Sequence, residues 1–459
     1  MASSRCGSSL PEETGPEPPR GRGRPAPVFA HVKVLPAGET MRTLHPLLEA
    51  AFQGLEQAGV RWCALRLPAN LTHPSGDVDL LIEAGDLPRA RTVLRGLEFV
   101  HLPGVGSGSE FLFLNYDAAT DCWIRLHAVT AIAFGPRHTL PTGAEAECLA
   151  RRQRHDNVVL PAPDDAFWTT LLHCLLDKGT FAARHRDHLR DALAAARTDG
   201  PLGRIAARAC PEGWSPARLV ECVRLGDWEV LERLGPSLAA GWRAQQPGGA
   251  RLRQLVRAWQ LLPARLAGRL RRRGVCLALL GPDGSGKSSL AMGLQRSWPL
   301  PVRTVYMGFG ISGGRSRPPL LARLPGVRGP ARLLLLWREF LKAQYQRARG
   351  RLVIFDRYTY DAFAPPSGRR SWLRRLSSWV KARCLPAPDL VVLLDAPGQV
   401  MYERKREFSP EVLEGQRQGF LALRQWIPGF QVVDATRNKD AVRIEVTAHL
   451  WRLYAARWG

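Results

Sequence analysis

The chain has 459 residues, 45% of them hydrophobic and 23% charged, a globular balance that excludes a fibrous or wholly disordered protein and predicts two or three domains. No apolar run approaches the ~18 residues of a membrane-spanning helix, and the first 30 residues lack a signal-type apolar stretch, so a cytoplasmic chain is expected. The net charge is +24, but only seven of the 65 cationic residues are lysine; this arginine skew reads as the coding bias of a GC-rich genome, so nucleic acid is not the favoured partner and any phosphorylated ligand suits the charge equally.

Residues 1–28, rich in Pro, Gly, Ser and charge, predict a disordered tail. Residues 29–130 read as a mixed α/β domain. A helix is expected over His45–Gly59, with strands at Val60–Leu65 and Asp77–Ile82. A helix near Leu87–Leu97 and strands at Glu110–Tyr116 and Cys122–Val129 complete it. Residues 131–262 read as a mostly helical subdomain and linker, with helices at Asp165–Leu176 and His185–Ala196, a linker at Trp242–Gly249 and a very basic helix beginning at Arg251 and ending at Arg273. Its His173, His185 and His188 lack further ligands at metal-binding spacing and are expected on polar helix faces. The nine cysteines form no C-x-x-C pair, which predicts reduced thiols, no zinc site and no disulfide framework.

From about 263 to 459 the pattern alternates. Strands are expected at Val275–Leu280, Val302–Met307, Leu352–Phe355, Leu390–Leu394 and Gln431–Val433, with helices between them, the first over Ser288–Trp298. Such alternation predicts a parallel sheet covered by helices on both faces.

Residues 281–289 read GPDGSGKSS, matching G-x-x-x-x-G-K-[ST] between an apolar strand and a helix. Gly281, Asp283, Gly284, Ser285, Gly286, Lys287, Ser288 and Ser289 are therefore the candidate nucleotide-phosphate loop, for ATP. Glycines let backbone N–H groups point inward at an anion, and the helix adds partial positive charge at its N-terminus. Lys287 supplies a mobile ammonium for the β- and γ-phosphates, and Ser288 a hydroxyl for Mg²⁺. Downstream, LVIFDRYTYD (352–361) is an apolar strand ending in Asp356-Arg357. An acid at the carboxyl end of such a strand sits where open α/β sheets bind ligands. Asp356 is placed to hold Mg²⁺ through water, and Arg357 to clamp a phosphate.

With these motifs, residues 274–459 resemble the thymidylate kinase family of P-loop nucleoside monophosphate kinases. The resemblance rests on GPDGSGKSS, ARGRLVIFDRY (348–358), PDLVVLLDAP (388–397), YERKR (402–406) and VVDATRNKDAV (432–442). It implies ATP- and Mg²⁺-dependent phosphoryl transfer to a nucleoside monophosphate, dTMP foremost. It also implies Asp283 near the acceptor's sugar hydroxyl, Arg357 on the transferring phosphate, Arg404 and Arg406 in a lid, and Asp434-Ala435-Thr436 near the adenine. VYMGFGISGGR (305–315) stands where the family carries Arg-Glu-Pro-Gly-Gly, and TYDAFAPPSG (359–368) replaces its Ser-rich follow-on, so a different small-molecule acceptor stays open. A non-catalytic ATP-binding protein is the alternative from another class.

HPSGDVDLLIE (73–83) resembles the metal-binding strand of the nucleotidyltransferase superfamily, over about 43–190. Asp77 and Asp79 share a strand face, but the usual Gly-Ser turn is absent from ALRLPAN (64–70), and Arg125 stands in WIRLHAV (123–129) where the third carboxylate would fall. A degenerate recognition or scaffold module is expected there. The stretch 370–381, with Trp372, Leu373, Leu376, Trp379 and Val380 among arginines, is expected to pack as a helix, and peripheral membrane contact and a homodimer are left open.

Overall fold

A computed structural model describes residues 43–68, 70–102, 109–136, 138–245, 274–307, 328–363 and 383–458. The tail 1–28, the basic helix Arg251–Arg273, and segments 308–315, 364–368 and 370–381 lie outside the described residues.

The first sheet has the order β1-β2-β5-β4-β3, from β1 (Trp62–Arg66), β2 (Asp77–Ile82), β3 (Val100–Leu102), β4 (Glu110–Asp117) and β5 (Cys122–Val129). β2 and β5 run parallel and the other neighbours antiparallel. Helices α1 (Pro46–Gln57) and α2 (Leu87–Gly96) bury Leu48, Phe52, Leu55 and Leu94 in one core with Trp62 and Leu80. His45 starts α1: its Nδ1 accepts from the Leu47 N–H at 3.2 Å, and Pro46, which has no N–H to satisfy, takes the first helical position.

The stretch from 131 is mostly helical, as expected, with short strands added that the periodicity does not show. It holds two short hairpins, β6 (Ala133–Phe134) with β7 (Leu140–Pro141) and β8 (Gln153–His155) with β9 (Val158–Leu160). Six helices follow or intervene: α3 (Glu145–Ala150), α4 (Pro163–His173), α5 (Ala183–Asp191), α6 (Pro201–Ala209), α7 (Pro216–Leu225) and α8 (Trp228–Ala244). The first residues of the linker expected over Trp242–Gly249, Trp242 to Ala244, are instead the last turn of α8, and 246–249 lie outside the described residues. Trp242 is buried edge-on to Phe134 and its Nε1 donates to the Pro141 carbonyl, so packing carries the helix through Ala244. His185 and His188 are buried rather than on solvated faces.

The second sheet is parallel throughout, in the order β11-β12-β10-β13-β14. Its strands are β10 (Val275–Leu280), β11 (Val302–Tyr306), β12 (Leu352–Asp356), β13 (Leu390–Asp395) and β14 (Phe430–Asp434). The helices are α9 (Lys287–Ser297), α10 (Arg328–Ala348), α11 (Gly398–Arg404), α12 (Pro410–Leu421) and α13 (Lys439–Trp458). β10 is buried along its whole length because both faces are covered. Val275, Leu277 and Leu279 face Leu290 and Leu294 of α9 and Val446 and Leu450 of α13. Cys276, Ala278 and Leu280 share the other core with Leu336 and Phe340 of α10 and Phe420 of α12. The α9–α13 core also takes in Val100, Leu102, Leu114 and Tyr116 of the first sheet, so the two sheets share buried apolar surface.

No helix among the described residues is long and apolar enough to cross a membrane.

Candidate active site

The chain leaves β10 at Leu280 and turns through Gly281 (φ 139°), Gly284 (φ 85°) and Gly286 (φ 99°). These are left-handed conformations that glycine adopts freely. Space demands glycine as well: a Cβ at 281 would lie 2.7 Å from Ser285 Oγ, and one at 284 would lie 2.4 Å from the Met401 carbonyl oxygen. Gly286 precedes the first residue of α9 and offers its opening N–H groups no side chain, which leaves them and the positive end of the helix dipole for an anion.

Lys287 is the first residue of α9 and only 7% exposed. Its Nζ donates to the carbonyls of Gly281 (2.7 Å) and Pro282 (2.8 Å). Desolvation lowers its pKa to about 8; Arg357 acts in the same direction, against Asp283, Asp361 and Asp356. Ser285 is buried, whereas Ser288 and Ser289 are exposed and line the cleft.

Asp356 ends β12, in register with Leu279 of β10 and Tyr306 of β11, and borders the same cleft. Arg357 follows in a left-handed backbone conformation, φ 66°. Its Nη2 donates to Asp283 at 2.7 Å, and its Nη1 lies 3.7 Å from Asp361. Burial opposes the guanidinium charge, but the Asp283 and Asp361 carboxylates hold the pKa of Arg357 above its ordinary value. Burial pushes the Asp361 carboxyl up to about 6, against the pull of Arg357 and Lys287. Among the described residues its Oδ2 has no hydrogen-bond donor.

Arg404 closes α11 and donates from Nη2 to the Ala435 carbonyl at 3.0 Å, tying the expected lid to the loop after β14. Asp434 shapes that loop by accepting from the Thr436 N–H at 2.9 Å. Arg406 is exposed and does not line the cleft. Together the loops border a cleft of about 1840 Å³ in which cations outnumber acids. That balance favours a polyanionic ligand.

The residues fit the groups implied by the motif. The glycine turns and the N-terminus of α9 would cradle a phosphate, and Ser288 with Asp356 offers a hydroxyl and a carboxylate, the hard oxygen donors that Mg²⁺ shares with phosphate and water. Among the described residues no three His, Cys, Asp or Glu side chains form a metal cage.

Asp77 and Asp79 lie elsewhere, and both already have protein cations as partners. The β2–β5 register sets Arg125 beside Asp77 and His127 beside Asp79. Asp79 is 2% exposed, accepts from His127 Nδ1 at 2.9 Å and pairs with Arg66 Nε at 2.6 Å. Arg125 lies 3.6 Å from Asp77. Burial alone would raise the Asp79 pKa, but Arg66 and His127 outweigh it and hold it below the ordinary value. Burial likewise opposes the His127 charge, and the Asp79 hydrogen bond wins, raising its pKa. A lowered carboxyl pKa contributes stability above about 3.9, lost as pH falls through the folded value. A raised histidine pKa contributes below about 6.5, lost as pH rises through the folded value. The pair therefore stabilises most between about pH 4 and 6.5. Resistance of the chain to urea unfolding is expected to fall from pH 6 to pH 9 more steeply in the wild type than in His127→Gln. Asp79→Asn, which takes the partner from both Arg66 and His127, is expected to cost about 3–5 kcal/mol at pH 6 and less at pH 9.

Sequence reasoning passed over two residues that border this chemistry. Asp361 stands four residues after Arg357, in the quoted strand-end motif, so its spacing could have flagged it. Arg443 lines the cleft from α13, and its partner Asp121 stands 322 positions away, a distance no local signal spans.

No family model matches the chain, and no curated protein matches it. Among solved structures, a thymidylate kinase from Candida albicans is similar at 22% identity and a TM-score of 0.29, over 39% of this chain and 94% of that one.

Proposed function

We infer that this chain is an ATP- and Mg²⁺-dependent phosphotransferase acting on a small-molecule acceptor, a nucleoside monophosphate and dTMP foremost. One observation carries the reading: a buried lysine ammonium rests on the carbonyls of its own glycine loop, at a helix N-terminus, with Asp356 and Arg357 at the rim of the same cleft. Phosphoryl transfer asks little covalent work of a protein and depends on alignment and charge neutralisation. Lys287 and Arg357 supply fixed positive charge, and Arg404, bonded to the Ala435 carbonyl, draws the α11 side towards the loop after β14. Ser288 and Asp356 would hold Mg²⁺, which neutralises phosphate charge when bound.

Asp361 favours a second reading of the acceptor. A phosphate oxygen needs no base, whereas a hydroxyl does; the Asp361 carboxyl, raised to about 6 by burial, does not itself line the cleft but lies 3.7 Å from Arg357, which does. An acceptor panel of nucleoside monophosphates, nucleosides and sugars, read by ADP release, tests both. The expected result is turnover with dTMP above all others. Turnover with a hydroxyl acceptor alone selects the second reading, and ATP binding with no phosphorylated product removes both.

A further inference from the structure

The turn between β4 and β5 of the first sheet reaches the wall of the cleft. Trp123 on β5 packs edge-on against Trp298, just after α9, and Trp451 on α13, with ring centroids 5.3 and 5.1 Å apart. Trp451 Nε1 donates to Asn115 Oδ1 of β4 at 3.0 Å. This packing fixes Asp121, which sits in a left-handed conformation (φ 53°) in the turn and accepts from Tyr116 Oη at 2.7 Å. Both terminal nitrogens of Arg443 donate to the Asp121 carboxylate, Nη1 at 3.0 Å. Bidentate pairing of this kind fixes a guanidinium in direction as well as place.

Arg443 is a cleft residue. Its side chain is 13% exposed, and its stem lies so close to α9 that a Cβ on Gly293 would come within 3.2 Å of its Cδ. Gly293 is six residues beyond Lys287, about 9 Å along the helix axis. Arg443 therefore lines the cleft away from the glycine loop, where a nucleotide held at that loop by its phosphates would extend its nucleoside. Its other partner, Asp440, is 76% exposed and 3.3 Å away, so Asp121 is the more sheltered anchor. Burial opposes the Asp121 charge, but the bonds from Arg443 and Tyr116 keep its pKa below the ordinary value, so the anchor stays ionised at neutral pH.

We propose that Asp121, in the first half of the chain, is a positioning residue for the nucleotide site: it holds Arg443 in the orientation that meets the base and ribose of the bound nucleotide. This rests on the nucleotide reading given above and extends it to a dependence of nucleoside recognition on the first sheet. Tripolyphosphate, which has phosphates and no nucleoside, separates the two ends of the cleft.

The experiment measures the affinity of the full chain for Mg²⁺–ATP and for Mg²⁺–tripolyphosphate by calorimetry, in wild type, Asp121→Asn and Asp121→Glu. Asp121→Asn keeps a side-chain oxygen for Tyr116 and so guards against misfolding, which thermal melting checks. ATP affinity is expected to fall about tenfold in Asp121→Asn, with tripolyphosphate within twofold of wild type and partial recovery in Asp121→Glu. Equal loss for both ligands, or no loss for either, overturns the proposal. Wild-type protein that binds neither ligand overturns the nucleotide reading itself, a different result.

Discussion

Lys287→Ala is expected to lower kcat by about 10²–10³ while the melting temperature stays level or rises. The two halves of this expectation share one cause. Placing an ammonium at 7% exposure costs solvation, and the depression of its pKa to about 8 registers that cost. The partners it gains are loop carbonyls rather than a carboxylate, so the folded state recovers only part of the loss. Such a residue is kept for what it does to a ligand. Removing it relieves the burial cost and strips the loop of its buried charge. Lys287→Met, which keeps the apolar stem, is expected to behave alike. Steady-state ADP release and calorimetric melting measure the two quantities on one preparation; an unchanged kcat with either variant would remove the phosphotransferase reading.

The parts of the fold legible in the sequence are those specified by neighbours along the chain. Val275–Leu280 reads as a buried strand because all six residues are apolar, and a strand flanked by two sheet neighbours and two helix layers is buried on both faces. The glycine loop is legible because its glycines are needed where they stand, by φ at Gly281, Gly284 and Gly286 and by space at Gly281 and Gly284. The order β11-β12-β10-β13-β14 is not written locally, since β10 takes its neighbours from strands beginning at Leu352 and Leu390. Burial of polar groups is equally hidden. His185 and His188 look solvated by residue type, and the structure buries both. Asp77 and Asp79 look like a metal pair by spacing; the sequence already sets Arg125 where a third carboxylate would fall, but only the parallel register with β5 shows that His127 meets Asp79. The Asp121–Arg443 bond lies at the far end of the same scale, being legible only once both sheets share a core.

Arg357→Ala is expected to reduce kcat by about 10³-fold or more, with little change in the concentration of ATP needed for half-saturation, and Arg357→Lys is expected to recover only a small part. Three features of the site lead there. The backbone at 357 is left-handed, which costs a non-glycine residue free energy and persists only where the surroundings impose it. The guanidinium is held from two sides, by Asp283 of the phosphate loop and Asp361 beyond the strand, so it is oriented before any ligand arrives. Preorganised charge of this kind acts on the transition state more than on the bound ground state, which separates kcat from KM. A lysine restores the charge without the planar fork, and its single ammonium cannot reach both carboxylates in the same geometry. Loss of Arg357 also frees Asp361 from the cation that lowers its pKa, so its carboxyl is expected to bind a proton at higher pH than about 6. The measurement is a pair of saturation curves, one in ATP and one in the acceptor, for wild type and both variants. A kcat within tenfold of wild type in Arg357→Ala would place the transferring phosphoryl group away from this arginine.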